Sequence, residues 1–205
     1  MTRPNIRQVL FDFDGVLAHY SHELRIAHLA QFAYAEHERV REVLFTSGLE
    51  TEYDGGLIDT DTYLGRLGAG IGAVIDIETW IGSRVAGSRA DDTVLRHIQS
   101  LDAGLPLGVL TNNGLLMAQA IPRIVAPLYS RVEGRVLCSG ALRIRKPEPE
   151  IYRLALAQLG WNAAETLFVD DIFANVQGAR SVGLHAETVT DGRSLGKVLR
   201  RYSLV

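Results

Sequence analysis

Short apolar segments that end abruptly in polar residues are the feature of this sequence that most constrains its fold. Residues 9–11, 107–110 and 167–169 are too short for helices and carry residues that favour strands. Continuous apolar character is typical of strands buried on both faces of a parallel sheet. Between them lie amphipathic stretches, including 91–101 and 150–159, whose apolar residues recur at helical spacing. This alternation predicts a doubly wound, Rossmann-like α/β sheet, in which sites form at the carboxyl ends of the strands.

One long segment, 19–87, interrupts the alternation of strands and helices. A helical run over 21–41 is followed by an acidic stretch punctuated by glycine, and none of it has the pattern of a strand. We therefore expect a small helical cap inserted after the first strand, where it covers the strand ends as a lid. The predicted division is an α/β core of residues 1–18 and 88–205 with a cap of 19–87. The acidic residues of the cap are expected to form a solvated face: Glu50, Glu52, Asp54, Asp59 and Asp61.

The composition and charge of the chain indicate which kinds of binding partner can be excluded. The chain has 21 Lys and Arg against 24 Asp and Glu, so it has no basic surplus with which to neutralise a nucleic acid. No segment approaches the ~18 apolar residues of a membrane span, and the first five residues lack the apolar stretch of a signal peptide. The single cysteine, Cys138, fits a reducing compartment, and its apolar neighbours indicate a buried, inert thiol. We expect a cytoplasmic monomer or homodimer with no nucleic acid or membrane partner.

Polar side chains stand directly after the predicted strands or in adjoining loops. Sequence order scatters them, but the edge of a parallel sheet would gather them. Like unit charges about 4 Å apart repel by about 4 kcal/mol at an effective dielectric of about 20, so carboxylates gathered in this way require a cation. Oxygen ligands suit Mg²⁺, whereas zinc prefers His or Cys ligands, and the six histidines show no such cluster. The gathered residues are Asp12, Asp14, Thr111, Asn112, Lys146, Asp170 and Asp171.

These residue types can carry out phosphoryl transfer. A carboxylate at a strand end, Asp12, can attack phosphorus and form an acyl phosphate, which divides one difficult hydrolysis into two steps. Gly15 lets the chain turn, so Asp14 can reach the same site, protonate the leaving group and later accept a proton from water. The phosphate oxygens also need donors and positive charge. The residues that would supply them are Thr111, Asn112 and Lys146.

Taken together, the motifs resemble those of the haloacid dehalogenase superfamily of phosphatases. The resemblance spans nearly the whole chain, and the insertion is similar to the cap of members with a small helical cap. The nearest likeness is to sugar-phosphate phosphatases and to the phosphatase-like half of soluble epoxide hydrolases. The segments that resemble the four ordered motifs are Asp12-Phe13-Asp14-Gly15-Val16-Leu17, Thr111-Asn112-Asn113, Lys146-Pro147 and Asp170-Asp171-Ile172-Phe173-Ala174-Asn175.

This resemblance implies a role for each motif residue. Asp12 would be the nucleophile and Asp14 the acid/base, while Thr111 and Lys146 would hold the phosphate. The implied ligands of Mg²⁺ are Asp12, the Asp14 carbonyl and Asp171, although the choice between Asp171 and its neighbour stays open. The implied supporting residues are Asp170, Asn175 and Gly15. The implied reaction is hydrolysis of a small phosphorylated metabolite, such as a sugar phosphate, through an aspartyl-phosphate intermediate.

Other functions compete with this interpretation. A 2-haloacid dehalogenase of the same fold attacks carbon and needs no metal, but that branch is expected to lack an aspartate at the position of Asp14. A non-enzymatic phospho-receiver domain gathers similar groups around Mg²⁺, but its acidic pair does not come last and it has no long insertion. A binding protein that has lost catalysis is disfavoured, because no expected catalytic group is missing.

Overall fold

Strands of two sheets organise the protein, whose residues 4–205 are described by a computed structural model. In chain order they are β1 (Gln8–Phe11), β2 (Ala18–Tyr20), β3 (Ser88–Ala90), β4 (Leu107–Thr111), β5 (Val136–Cys138), β6 (Thr166–Asp170) and β7 (His185–Thr188). Five of them form a parallel sheet in the order β5-β4-β1-β6-β7. The strand order reverses beside β1, which is the doubly wound arrangement. The α/β fold predicted from the apolar segments is therefore confirmed.

Helices surround the sheet and form the segment between β2 and β3. They are α1 (His22–Ala33), α2 (His37–Arg41), α3 (Leu49–Asp54), α4 (Thr60–Ile71), α5 (Ile77–Gly87), α6 (Asp92–Gln99), α7 (Met117–Ile124), α8 (Ala126–Val132), α9 (Ser139–Leu142), α10 (Pro149–Leu159), α11 (Phe173–Ser181) and α12 (Gly192–Arg201). A π-helical turn, Glu42–Thr46, follows α2, and a 3₁₀ turn, Ala163–Glu165, precedes β6. Within residues 4–205, no helix has both the length and the apolar character needed to cross a bilayer.

Both faces of the parallel sheet are buried. Val9 and Phe11 point into a core shared with the cap helices, whereas Leu10 points into a second core with Phe168 and Tyr152. All three of these β1 residues have no exposed surface. Strands covered on both sides need apolar residues at every position, which explains the continuous apolar segments of the sequence.

The segment between the two strands of the small sheet is helical, from α1 to α5. The expected helical run over 21–41 is two helices, because Tyr34 adopts a left-handed conformation (φ 52°) and its N–H bonds to Ala30 at the end of α1. The small sheet is an antiparallel ribbon in which Ala18 pairs with Ala90. The predicted cap, 19–87, thus begins within β2 and ends one residue before β3.

A short stretch of α3 fastens these helices to the core. The Tyr53 hydroxyl accepts a hydrogen bond from the Leu116 N–H at 3.1 Å, and Asp54 Oδ1 accepts one from the Gly114 N–H at 2.8 Å. The hydroxyl of Ser139 donates to the Asp54 carbonyl. Buried backbone donors need partners, and here helix α3 supplies them to the loop after β4.

Candidate active site

The carboxyl ends of β1, β4 and β6 meet at a cavity of about 460 Å³, here called the catalytic cavity. Nearly all residues predicted for the site line it, although they come from widely separated parts of the chain. Asp170 is the exception, because it is fully buried beneath the cavity. The predicted residues that line it are Asp12, Asp14, Gly15, Thr111, Asn112, Lys146, Asp171 and Asn175.

Asp12 follows β1, and two donors hold one of its carboxylate oxygens. Oδ1 accepts from the Phe13 N–H at 2.7 Å and from Lys146 Nζ at 2.9 Å. Only 6% of Asp12 is exposed, and burial raises its pKa to about 7, with Asp170 adding to the rise and Lys146 opposing it. The charge of Lys146 alone therefore does not offset the burial of this carboxylate, and a cation in the cavity would.

Lys146 bridges two buried carboxylates. Its Nζ lies 2.9 Å from Asp12 Oδ1 and 2.6 Å from Asp170 Oδ2. Burial lowers the pKa of Lys146, but attraction to Asp12 and Asp170 outweighs this effect and raises the pKa above its ordinary value. Asn175 Nδ2 donates to both oxygens of Asp170, and the Ile172 N–H donates to Oδ1. With both oxygens occupied, Asp170 orients the lysine.

Asp171 differs from its neighbour, because its carboxylate faces the cavity and no other residue in 4–205 donates a hydrogen bond to it. Gly15 makes this approach possible: its φ is 85°, and a Cβ there would lie 2.3 Å from Asp171 Oδ2. Burial, followed by repulsion from Asp170, raises the pKa of Asp171. Oxygens of Asp12, Asp170 and Asp171 lie within 4.8 Å of one another. Carboxylates clustered in this way fit a hard cation such as Mg²⁺, and the raised pKa values of Asp12 and Asp171 agree with this.

Asn112 and Thr111, at the end of β4, have different partners. The Asn112 amide donates to the Lys146 carbonyl and accepts from the Lys146 N–H, both at 2.9 Å. Its side chain thus fastens the loop that carries Lys146, which limits the phosphate contact predicted for it. The Thr111 hydroxyl accepts from Asn113 Nδ2 at 2.7 Å, so its own hydrogen remains available to a ligand in the catalytic cavity.

Arg84, in helix α5, binds the predicted acid/base Asp14, although no sequence motif indicates this role for Arg84. Arg84 Nη2 donates to both oxygens of Asp14, at 3.0 and 2.8 Å, and Asn113 Nδ2 donates to Oδ2 at 3.0 Å. Arg84 is 2% exposed, and its guanidinium lies 4.0 Å from the centre of the Tyr20 ring. The sequence shows only that Arg84 stands one helical turn after Trp80, on a face of α5 that is buried. This pattern does not indicate which carboxylate the arginine binds.

A smaller cavity of about 190 Å³, here called the cap chamber, borders the catalytic cavity. The residues that line both cavities are Asp14, Tyr20, His22, Asn112 and Asn113. The cap side of the chamber includes Glu50 and Asp54. The expectation of a solvated acidic face is wrong for these two residues. They stand one turn apart in α3, on the side that faces inward, and the Glu50 side chain is only 12% exposed. Of the other acidic residues, Glu52 is partly buried, whereas Asp59 and Asp61 are exposed.

Comparison with known families agrees with this geometry. Residues 6–183 match the family model for haloacid dehalogenase-like (HAD-like) hydrolases. The chain belongs to this family. The resemblance drawn from the four motifs is therefore confirmed, and the protein is a HAD-like hydrolase.

Several curated relatives of this HAD-like hydrolase carry phosphatase names. Phosphatase MT3486 of Mycobacterium tuberculosis is 38% identical over 101 residues, which cover 49% of this chain and 46% of that protein. The phosphoglycolate phosphatase of Pectobacterium atrosepticum is 25% identical, with 95% of this chain and 84% of that protein covered. The D-ribitol-5-phosphate phosphatase of Bacteroides thetaiotaomicron is 25% identical, with 87% and 89% covered. The chain thus spans less than half of the first relative and most of the other two.

Solved structures share the fold of this HAD-like hydrolase at low sequence identity. A HAD family enzyme of Bacteroides thetaiotaomicron, solved as a magnesium complex, has a TM-score of 0.77 at 19% identity, with 96% of this chain and 99% of that chain covered. The L-2-haloacid dehalogenase of Xanthobacter autotrophicus has a TM-score of 0.64 at 21% identity, with 98% and 84% covered. The fold alone therefore does not separate phosphatase from dehalogenase chemistry.

Proposed function

We propose that this HAD-like hydrolase is a Mg²⁺-dependent phosphatase that hydrolyses a small phosphorylated metabolite through an aspartyl phosphate on Asp12. The main support for the proposal is that two carboxylates line the same cavity and that each forms an ion pair with a different cation. Asp12 pairs with Lys146, and Asp14 pairs with Arg84. Two carboxylates in different environments can act as nucleophile and as acid/base, whereas dehalogenation at carbon needs no protonation of a leaving oxygen.

In the first step, the Asp12 carboxylate attacks phosphorus, and the bond between phosphorus and the leaving oxygen breaks. That oxygen takes a proton from Asp14. In the second step, Asp14 takes a proton from a water molecule as the water oxygen attacks the same phosphorus. The bond between phosphorus and Asp12 then breaks, which releases inorganic phosphate and restores both aspartates.

Donors around the cavity would hold the phosphoryl oxygens during both steps. The Thr111 hydroxyl has a free hydrogen, and the Lys146 ammonium lies on the Asp12 carboxylate. Fixed donors that are already oriented stabilise the charge of the transition state at little reorganisation cost. The hydrogen bonds of Asn112 to the Lys146 backbone fix the position of Lys146 relative to Thr111.

Asp12, Asp171 and the backbone carbonyl of Asp14 would hold Mg²⁺. Bound Mg²⁺ supplies the positive charge that offsets the phosphate and carboxylate charges. Asp170 is a weaker candidate ligand, because Lys146 and Asn175 already occupy its oxygens. The raised pKa values of Asp12 and Asp171 support the same assignment.

A small substrate is supported by the position of the helices over the strand ends, which leaves limited room for a polymer. The names of the relatives, which include phosphatases of phosphoglycolate and of ribitol phosphate, also support it. The cytoplasmic location, the lack of a nucleic acid partner and the choice between monomer and homodimer stay predictions.

The test is release of inorganic phosphate from phenyl phosphate by the purified protein, with Mg²⁺, with excess chelator, and in an Asp12→Asn variant. Asparagine keeps the shape of the side chain but removes the nucleophile. We expect turnover that requires Mg²⁺ and is lost in the variant. Halide release from 2-chloropropionate without phosphate release would instead establish the dehalogenase alternative.

A further inference from the structure

We propose that the cap chamber receives the leaving group of the phosphate ester and selects an uncharged, hydroxyl-bearing group over one that carries a carboxylate. This inference rests on the proposed phosphatase function. Asp14, the predicted proton donor to the leaving oxygen, lines both cavities. The atoms bonded to that oxygen therefore extend past Asp14 into the chamber.

The arginine on the chamber wall is already paired with a carboxylate. Among the described residues that line it, Arg84 is the one arginine or lysine, and it is bound to Asp14. Arg25, which stands behind the lining, is fully buried and bound to Glu50. Burial, together with the charges of these two arginines, lowers the pKa of His22, which favours the uncharged imidazole. A substrate carboxylate would find no unpaired cation on the chamber wall.

The chamber also disfavours an additional negative charge. Burial, followed by the charge of Glu50, raises the pKa of Asp54 to about 8, although Arg145 opposes the rise. Asp54 therefore holds a proton at neutral pH, which means that its surroundings already resist another anion beside Glu50 and Asp14. A substrate carboxylate would be such an anion, and like charges placed together at a binding surface cost several kcal/mol.

Hydroxyl groups, in contrast, match the polar atoms of the chamber. Protonated Asp54 can both donate and accept, and its Oδ1 is positioned by the Gly114 N–H. The Tyr20 hydroxyl accepts from Arg25 at 3.2 Å and keeps its own hydrogen. The Phe45 ring, which contacts His22 at 4.4 Å between centroids, offers an apolar face to carbon. A polyol uses all of these groups, whereas a plain alkyl group leaves the polar ones without partners.

The test compares three aryl phosphates that differ only in the para substituent: 4-(hydroxymethyl)phenyl, 4-methylphenyl and 4-carboxyphenyl phosphate. We expect kcat/KM to fall in that order, with the hydroxymethyl ester ahead of the carboxylate ester by at least about tenfold. Equal or faster hydrolysis of the carboxylate ester would overturn the proposal, and faster hydrolysis of the methyl ester than of the hydroxymethyl ester would overturn the preference for hydroxyl groups. Phenyl phosphate is the reference: if it is not hydrolysed, the phosphatase function itself fails, and the inference fails with it.

A matched pair of variants locates the selectivity. His22→Lys places a cation where the chamber meets the catalytic cavity, whereas Gln31→Lys adds the same charge at an exposed position of the same helix. We expect His22→Lys to reduce the preference against the carboxylate ester by about threefold or more, because it supplies the missing counter-ion, and Gln31→Lys to leave the preference unchanged. An equal effect of both variants would assign the selectivity to net charge and overturn the role of the chamber. Thermal unfolding checks that both variants fold, and the wild-type series is decisive by itself.

Discussion

Replacing Arg25 by methionine tests the energetic role of the most enclosed ion pair in the cap. Arg25 has no exposed surface, and its guanidinium donates to both Glu50 oxygens, to Tyr63 Oη at 3.1 Å and to Ser83 Oγ at 3.4 Å. Methionine matches the aliphatic part of the side chain but supplies no donor. Glu50 would then be held by the Tyr63 hydroxyl, with 12% of its side chain exposed to water. Removing one partner of a buried pair costs about 3–5 kcal/mol, because the remaining charge is uncompensated.

The assay is equilibrium unfolding in urea, with thermal unfolding as a second measure. For a chain of this size, each kcal/mol corresponds to about 2–4 °C in Tm, so we expect Tm to fall by about 6–20 °C. The double variant Arg25→Met/Glu50→Gln should recover part of the loss, because glutamine removes the unpaired charge. Arg66→Met is the control, since 45% of the Arg66 side chain and 34% of the Glu52 side chain are exposed in this ion pair, which should therefore contribute little.

Three results would refute this reasoning. The first is a loss of less than about 1 kcal/mol in the single variant, which would mean that water or rearrangement compensates Glu50. The second is a double variant no more stable than the single one, which would locate the loss in packing around the aliphatic chain. Equal losses in Arg25→Met and Arg66→Met would also show that burial does not control the strength of these pairs.

Three further predictions concern the site and the core. Arg84→Met should lower kcat on phenyl phosphate more than it changes KM, because Arg84 binds Asp14 and is not one of the residues proposed to hold the phosphate. Arg84→Lys should retain part of kcat. Steady-state kinetics in which only KM changed would contradict this prediction. Gly15→Ala should raise the Mg²⁺ concentration for half-maximal activity by at least about tenfold, because its Cβ would lie 2.3 Å from Asp171 Oδ2, and an unchanged Mg²⁺ titration would exclude Asp171 as a ligand. Burial raises the pKa of Cys138 to about 12, so the native protein should not react with a thiol-specific disulfide reagent at pH 8. After unfolding in guanidinium, it should react with one equivalent of the reagent. Rapid labelling of the native protein would show that the thiol is accessible.

The sheet and most of the catalytic cavity could be predicted because they depend on local patterns. Buried parallel strands are continuously apolar, and a polar residue that follows such a strand must lie at its carboxyl end. Asp12, Thr111 and Asp171 could therefore be placed from one sequence, without knowledge of strand order. Lys146 was placed with them from a loop that adjoins a strand, and its position before Pro147 is a weaker local signal than a strand end.

The contacts between cap and core could not be predicted in the same way. Arg84 and Asp14 are 70 residues apart, and nothing in the pattern of α5 states which carboxylate its arginine meets. Glu50 and Asp54 were taken for solvated residues, because acidic residues usually are. Their inward orientation depends on how α3 packs on the loop after β4, and this is a property of tertiary structure.

The antiparallel ribbon of β2 and β3 makes the cap a cassette with adjacent ends. Since Ala18 and Ala90 are paired, evolution or an engineer can exchange what lies between them without disturbing the order of the parallel sheet. The exchange is constrained, however, because groups of the core form hydrogen bonds and an ion pair with residues of the present segment. A replacement must provide acceptors for the N–H groups of Gly114 and Leu116 and a cation for Asp14. A cassette that lacks these partners would alter the reactivity of the core along with its specificity.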